Sequence, residues 1–165
     1  MNHAINAIAH ENKIRRWQTF TPPQNTAPAA LCGLFSLRRV YVSRLGLRYI
    51  NATTSELHGI AAISDLNLRV MVADDQIGAS VNVNYMNEHE KNTQSVVRIA
   101  TPDFVIGSVP AGATLMIDVD VFTKAGYKAT AAEDVRGWAE FAHEEEKKQF
   151  FRLLRPETKE ALRED

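Results

Sequence analysis

The segment 44–51 reads as a β-strand with two unlike faces, and it constrains the fold more than any other part of the chain. Residues two apart in a strand point to the same side. One row is apolar and consists of Leu45, Leu47 and Tyr49. The other row is mainly cationic and consists of Arg44, Gly46 and Arg48. A strand of this kind must bury its apolar side against a second layer of the protein.

The same alternation recurs later, at residues 66–72, 80–85, 97–99 and 115–121. An aliphatic row on one side and a polar row on the other is typical of an antiparallel sheet covered on one face by helices. Short polar turns between the segments also favour antiparallel neighbours. We therefore predict an α+β fold, with an antiparallel sheet of about five strands and helices packed on one face. Within the first strand, Gly46 predicts a bulge or a close approach by another backbone.

Helical patterns lie at the two ends of the chain. Residues 3–19 predict a short helix, which Thr21-Pro22-Pro23 ends, and residues 22–30 predict an extended connector. Residues 131–149 predict a longer helix, followed by a short one from Glu157. The expected organisation is an N-terminal helix and connector over residues 1–30 and a single α+β domain over residues 31–165.

Composition narrows the class of protein. The chain has 165 residues, 45% of them hydrophobic, and a net charge of −1, which argues against a general binder of nucleic acids or membrane surfaces. Its single cysteine, Cys32, excludes an intramolecular disulfide. No signal-like or membrane-spanning run is present, and we expect a cytoplasmic protein.

Several motifs of the chain resemble those of an uncharacterised and sporadically distributed bacterial family, and they occur in the same order as in that family. They are Arg-Leu-Gly-Leu-Arg-Tyr-Ile-Asn at 44–51, Ile-Asp-Val-Asp at 117–120, His143, and Phe150-Phe151 followed by Leu154-x-Pro156. The resemblance covers about residues 36–156 and implies a shared fold, but the family has no established activity. Its members usually open with an N-terminal strand, which the pattern here lacks. A missing strand would leave a sheet edge unpaired and favour dimerisation.

The polar face of the predicted sheet is the main candidate for a binding site. Its candidate residues are Arg44, Arg48, Arg69, Arg98, Asp118 and Asp120. One interpretation is a solvated face with cross-strand Arg–Asp pairs. A second is a cleft in which arginines bind the carboxylate or phosphate of an anionic small molecule. A third makes the face a subunit interface.

Other reactive groups form weaker patterns. Asp118 and Asp120 share a strand face and could hold Mg²⁺ with a third carboxylate from Asp74 or Asp75, but nearby arginines would neutralise them first. We predict no metal and no cofactor. His143 is expected to be a buried, hydrogen-bonded residue, whereas His58 and His89 are expected in loops without a nucleophile. No glycine-rich phosphate loop, Gly-x-Ser-x-Gly elbow or zinc pattern is present.

These patterns favour a non-enzymatic binding or assembly module, with no catalytic residue assigned. It would be a homo-oligomer that uses the Arg-bearing sheet face or an open sheet edge. One alternative is an enzyme acting on a phosphate- or carboxylate-bearing small molecule, with Arg44 and Arg48 as clamps. A further alternative is RNA binding on the sheet face, although the near-zero net charge makes nucleic acid a poor partner.

Overall fold

The computed structural model describes residues 3–11, 40–77 and 80–162. Its strands and helices are β1 (His3–Glu11), β2 (Val40–Thr53), α1 (Ser55–His58), β3 (Met71–Val72), β4 (Asp75–Gln76), β5 (Asn82–His89), β6 (Thr93–Ala100), β7 (Leu115–Thr123), α2 (Ala132–Leu153) and α3 (Pro156–Ala161). Two 3₁₀ turns lie at Ile63–Asp65 and Pro102–Phe104.

The main sheet has five strands in the order β1-β2-β7-β6-β5. The neighbours β2, β7, β6 and β5 are antiparallel to one another in turn. The edge strand β1 runs parallel to β2. A separate hairpin consists of β3 and β4. The predicted α+β class, with an antiparallel sheet and packed helices, is confirmed.

The sheet has the two unlike faces that the sequence predicts. The inner face, on which α2 packs, carries the buried aliphatic row, including Leu47 and Ile117. The outer face carries Arg48 and Asp118, which bond to each other across β2 and β7. Burial of each large aliphatic side chain stabilises the fold by about 1.5–3 kcal/mol, so the inner face holds the layers together.

A bulge in β2 changes which residues point inward. Val42 and Leu45 are both buried although they are three residues apart. The pairing of β2 with β1 skips Ser43, so that residue is the extra one of a bulge. The prediction of a bulge at Gly46 is wrong, because Gly46 pairs with Phe122 in an unbroken register.

The predicted N-terminal helix is wrong where the structure describes it. His3–Glu11 is a strand that pairs with β2 over its whole length. The alanines of this segment favour a helix locally, but backbone hydrogen bonding along the edge of β2 overrides that preference. The N-terminal strand is therefore present, and the edge expected to be open is covered. The expectations for residues 12–39, including the connector and Cys32, lie outside the described residues.

The segment 66–72 does not join the main sheet, and its alternation fails at Val72, which belongs to the predicted inward row but is 62% exposed. Leu66 is buried and forms an isolated bridge with Leu154, and the Asn67 N–H donates to the carbonyl of Leu153. Only Met71–Val72 is a strand, within the small hairpin. The prediction of a sheet strand over 66–72 is therefore wrong. Alternation indicates which side of a segment is buried, but it does not indicate which other segment forms backbone hydrogen bonds with it.

The predicted C-terminal helices are confirmed, and α2 ends four residues later than expected. The Asp134 carboxylate accepts hydrogen bonds from the backbone N–H groups of Thr130 and Ala131 at 3.3 Å, which stabilises the start of α2. Pro156 disfavours helical geometry in the residue before it. The same proline is tolerated in the first turn of α3, where no backbone donor is needed.

Candidate functional site

Arg48 and Asp118 form a bidentate ion pair on the outer face. The Arg48 Nε lies 2.8 Å from Asp118 Oδ1, and Nη2 lies 2.5 Å from Oδ2. The strand register places Asp120 directly opposite Arg48, so Asp118 is its diagonal neighbour. The bond to Asp118 raises the pKa of Arg48 above its usual range, although burial opposes this. The fork that would grip a ligand carboxylate is thus occupied by Asp118.

The other sheet arginines also have partners within the chain. Arg98 donates from Nε to Asn82 Oδ1 at 3.1 Å and from Nη2 to the carbonyl of Phe104 at 2.6 Å. Arg44 is exposed, and its guanidinium lies 5.2 Å from the centre of the Phe122 ring. Arg98 lies opposite Asp118 in the strand register, but its guanidinium bonds to other groups, and that of Arg44 stacks on Phe122.

Arg69 does not belong to this face, so its assignment to the candidate site is wrong. It lies in the segment between Leu66 and β3, outside the five-stranded sheet. The sheet brings together the other five predicted residues, namely Arg44, Arg48, Arg98, Asp118 and Asp120. Their charges are close to balance, which fits the interpretation of cross-strand pairing better than that of an anion cleft.

The carboxylates do not assemble a metal site. Within residues 3–11, 40–77 and 80–162, no group of three or more His, Cys, Asp or Glu side chains is placed to hold a metal ion. Asp74 and Asp75, the possible third ligands, belong to the small β3–β4 hairpin. Asp118 is already bonded to Arg48.

His143 occupies the buried, hydrogen-bonded position that the sequence predicts. Its side chain is 11% exposed, and Nδ1 lies 3.4 Å from Tyr49 Oη and 3.9 Å from Glu146 Oε2. The Tyr49 and His143 rings are tilted, with centroids 6.0 Å apart. This contact joins the apolar row of β2 to α2.

His89 is not the loop residue that the sequence predicts. It ends β5 on the inner face, where Nε2 lies 2.8 Å from Ser95 Oγ and Nδ1 lies 3.1 Å from Glu145 Oε2. A serine, a histidine and a carboxylate connected in this order form the triad of many hydrolases. Here Ser95 is 0% exposed and lies within β6, so a substrate carbonyl cannot reach its hydroxyl.

The Ser95–His89–Glu145 chain instead belongs to a polar layer between sheet and helix. Asn87 donates to Gln149 Oε1 at 3.1 Å, and Trp138 Nε1 donates to Thr93 Oγ1 at 3.0 Å. Each of these bonds joins β5 or β6 to α2. Because buried polar groups lose free energy without partners, the layer selects one docking position for the helix.

Two clefts flank α2. One, of about 430 Å³, is lined by residues including Lys91, Tyr127 and Trp138. The other, of about 520 Å³, is lined by residues including His89, Phe141 and Glu145. Neither contains an arginine of the outer face. An enzyme that uses Arg44 and Arg48 as clamps would need both in a pocket with an acid or base, and neither cleft contains them.

The free edge of β5 is the second candidate surface. Its eight residues pair with β6 in one unbroken register. On its other side β5 has no strand neighbour among the described residues. The Thr101 N–H donates to the carbonyl of Val81, which marks that pair as hydrogen-bonded. Because such pairs alternate along antiparallel strands, the odd-numbered residues of β5 bond to β6. The even-numbered residues therefore direct their N–H and C=O groups outward: Asn82, Asn84, Met86 and Glu88.

Natural edge strands are usually protected by proline, lysine, bulges or cover. The β5 sequence contains no proline, lysine or arginine, and its register has no bulge. Met86 is 59% exposed on this strand. The sequence predicts the strand, but its position at the edge depends on the strand order, for which the sequence carries no signal.

Comparisons of the chain with known protein families, with curated proteins and with solved structures found no match. The resemblance to the bacterial family therefore stays a prediction. No helix in the described part of the chain is long and apolar enough to cross a membrane.

Proposed function

We propose that this chain is a non-enzymatic binding module that accepts an extended polypeptide strand along β5. The observation that carries this proposal is an edge of eight residues that has no strand neighbour among the described residues and has a regular row of outward backbone donors and acceptors. Strand addition to such an edge supplies affinity through main-chain hydrogen bonds and specificity through alternate side chains.

The edge is a better binding surface than the arginine face because its outward backbone groups have no competing partner in the part of the chain that the structure describes. An anion bound by Arg48 would have to displace Asp118 from two hydrogen bonds. Arg98 would have to leave Asn82 and Phe104. The outward groups of β5 have no such bond to break within the described chain.

The same contacts weigh against the two alternatives. An enzyme acting on a phosphate- or carboxylate-bearing molecule needs a cleft that joins the arginines to an acid or base, and neither cleft beside α2 contains Arg44 or Arg48. RNA binding needs a surplus of cations along the sheet. Asp118 and Asp120 offset that surplus on the outer face.

The test uses a proline at an outward position of β5. Met86→Pro removes an N–H that points away from β6, so the ladder to β6 keeps its bonds. Met86→Thr retains the N–H and is the matched control. Circular dichroism and the melting temperature first establish that both variants are folded.

The probe is a displayed library of random linear peptides, panned on the immobilised protein. We expect enriched peptides that bind the natural chain and Met86→Thr alike, and that bind Met86→Pro at least about tenfold more weakly, since several main-chain bonds of about 1 kcal/mol each are disturbed. Failure of a chain that is monomeric by light scattering to enrich any peptide, or equal binding to folded Met86→Pro, would overturn the proposal.

A further inference from the structure

We infer that the strand accepted by β5 is the β5 of a second copy, in an antiparallel pair whose two-fold axis passes between the two copies of Tyr85. The inference rests on the proposed function and names the partner of the same edge. In the resulting dimer the two sheets are continuous, and both copies of α2 lie on one side.

The symmetry restricts the register. Homodimers pair the same patch of both subunits about a two-fold axis. With the axis perpendicular to the sheet, each residue faces one on the same sheet face, so the two residue numbers add to an even sum. The outward residues of β5 are all even-numbered, and they therefore meet one another, as an antiparallel ladder requires.

Only one register uses every outward group of β5. With the axis at Tyr85, Asn82 faces Glu88 of the partner subunit and Asn84 faces Met86 of the partner subunit. Moving the axis by one residue leaves an outward residue of β5 facing a residue outside the strand. Because each unpaired group forfeits a hydrogen bond, the axis at Tyr85 is the preferred one.

Side-chain charge fits the same register. Glu88 is the only residue of β5 with a permanent charge, and the two copies of Glu88 lie at opposite ends of the ladder. Each comes to lie beside Asn82 of the other subunit, whose Oδ1 holds Arg98 at 3.1 Å. Glu88 is already ion-paired with Lys124 of its own subunit, so this register keeps the two like charges apart and adds no new ion pair.

The other edge of the sheet lacks this self-complementarity. The edge strand β1 pairs with β2 through a register shift, and its parallel pairing gives evenly spaced, slanted bonds. The extra residue of that shift, Ser43, lies in β2, and the bulge increases the local twist of the two paired strands. The unbroken register of β5 has no such shift.

Disulfide trapping tests the inference in a background of Cys32→Ser, which removes the only natural thiol. Across the proposed axis the two Tyr85 Cα atoms lie about 4.5 Å apart, as in a non-hydrogen-bonded pair, within the range of a disulfide. Tyr85→Cys should form a covalent dimer under mild oxidation. Glu88→Cys is the control, since its two copies lie about 20 Å apart at 3.3 Å per residue.

Tyr85 is partly buried against the core, so a second pair of variants guards against misfolding. Asn82 and Glu88 are both exposed, and the register places them opposite each other in different subunits. A mixture of Asn82→Cys and Glu88→Cys should give a covalent heterodimer, whereas each variant alone should remain uncrosslinked. Light scattering should report a dimer for the natural chain and a shift to monomer for Met86→Pro.

A monomer at high concentration, together with no trapping at these positions, would overturn the inference. Peptide binding that is still lost in Met86→Pro would then leave the proposed function standing with a different partner. Efficient trapping by Glu88→Cys alone would contradict the register.

Discussion

The ion pair between Arg48 and Asp118 allows a quantitative test of the outer face. Arg48→Met removes the guanidinium and keeps much of the aliphatic stem, whereas Asp118→Asn keeps the shape and removes the charge. The double variant completes a thermodynamic cycle that isolates the interaction. Both side chains lie on neighbouring strands, β2 and β7, so the cycle measures a contact that only the folded sheet creates.

The magnitude follows from burial and geometry. The Arg48 side chain is 36% exposed and that of Asp118 is 15% exposed. Exposed ion pairs contribute about 0.2–1 kcal/mol, and breaking a buried pair costs about 3–5 kcal/mol. This half-buried, bidentate pair lies between the two. We expect a coupling energy of about 1–2 kcal/mol and a cost of about 2–3 kcal/mol for Arg48→Met, because that variant leaves the Asp118 carboxylate without two donors.

Urea unfolding at pH 7, followed by circular dichroism, measures each corner of the cycle. Arg44→Met is the matched control, since Arg44 is an exposed arginine of the same strand; its cost should stay within about 0.5 kcal/mol. A coupling energy below about 0.3 kcal/mol would refute the reasoning. The arginines would then be solvated charges, and the argument that Arg48 is occupied would fail.

Three further predictions concern the inner layer and pH. Ile117→Ala, at a fully buried site, should cost about 3–4 kcal/mol in urea unfolding, whereas Ile106→Ala, at a fully exposed site, should change stability by less than about 0.5 kcal/mol; equal costs would contradict the assigned core. Trp138→Phe removes the donor to the buried Thr93 hydroxyl and should cost about 1–2 kcal/mol beyond the lost ring area. In the Thr93→Val background that additional cost should disappear. Burial lowers the pKa of His58 from its ordinary value of 6.5, so the unfolded chain binds its proton more readily and stability falls as pH drops below about 6.5. Natural protein should therefore lose more stability between pH 7.5 and pH 5 than His58→Gln, and an equal loss would count against this assignment.

The polar layer under α2 gives the fold a specificity that aliphatic packing alone does not supply. Ser95, His89 and Glu145 form one continuous hydrogen-bonded chain from β6 to the helix. Sliding the helix by one turn would leave these groups buried without partners, at about 1–3 kcal/mol each. The arrangement shows why triad connectivity alone does not identify an active site, since access to the nucleophile is also required.

Local sequence determined which side of β5, β6 and β7 is buried and, to within a residue, where the last two helices begin. In β7 the alternation of aliphatic residues with Asp118 and Asp120 predicts the inner and outer rows, and both are observed. The proline at 156 predicts the break between α2 and α3. These features depend on a residue and its nearest neighbours in the sequence. Patterns that repeat every two residues in strands and about every four in helices therefore predict them.

Tertiary structure alone decided which residues meet. The alanine-rich segment 3–11 is a strand because it pairs with the edge of β2. The segment 66–72 lies outside the main sheet, and its backbone bonds to the end of α2. Arg48 and Asp118, which bond to each other, are 70 residues apart in the sequence. The strand order places β5 at an edge of the sheet. Alternation sets the direction of a side chain, whereas its partner depends on the register between strands far apart in sequence, which no local pattern encodes.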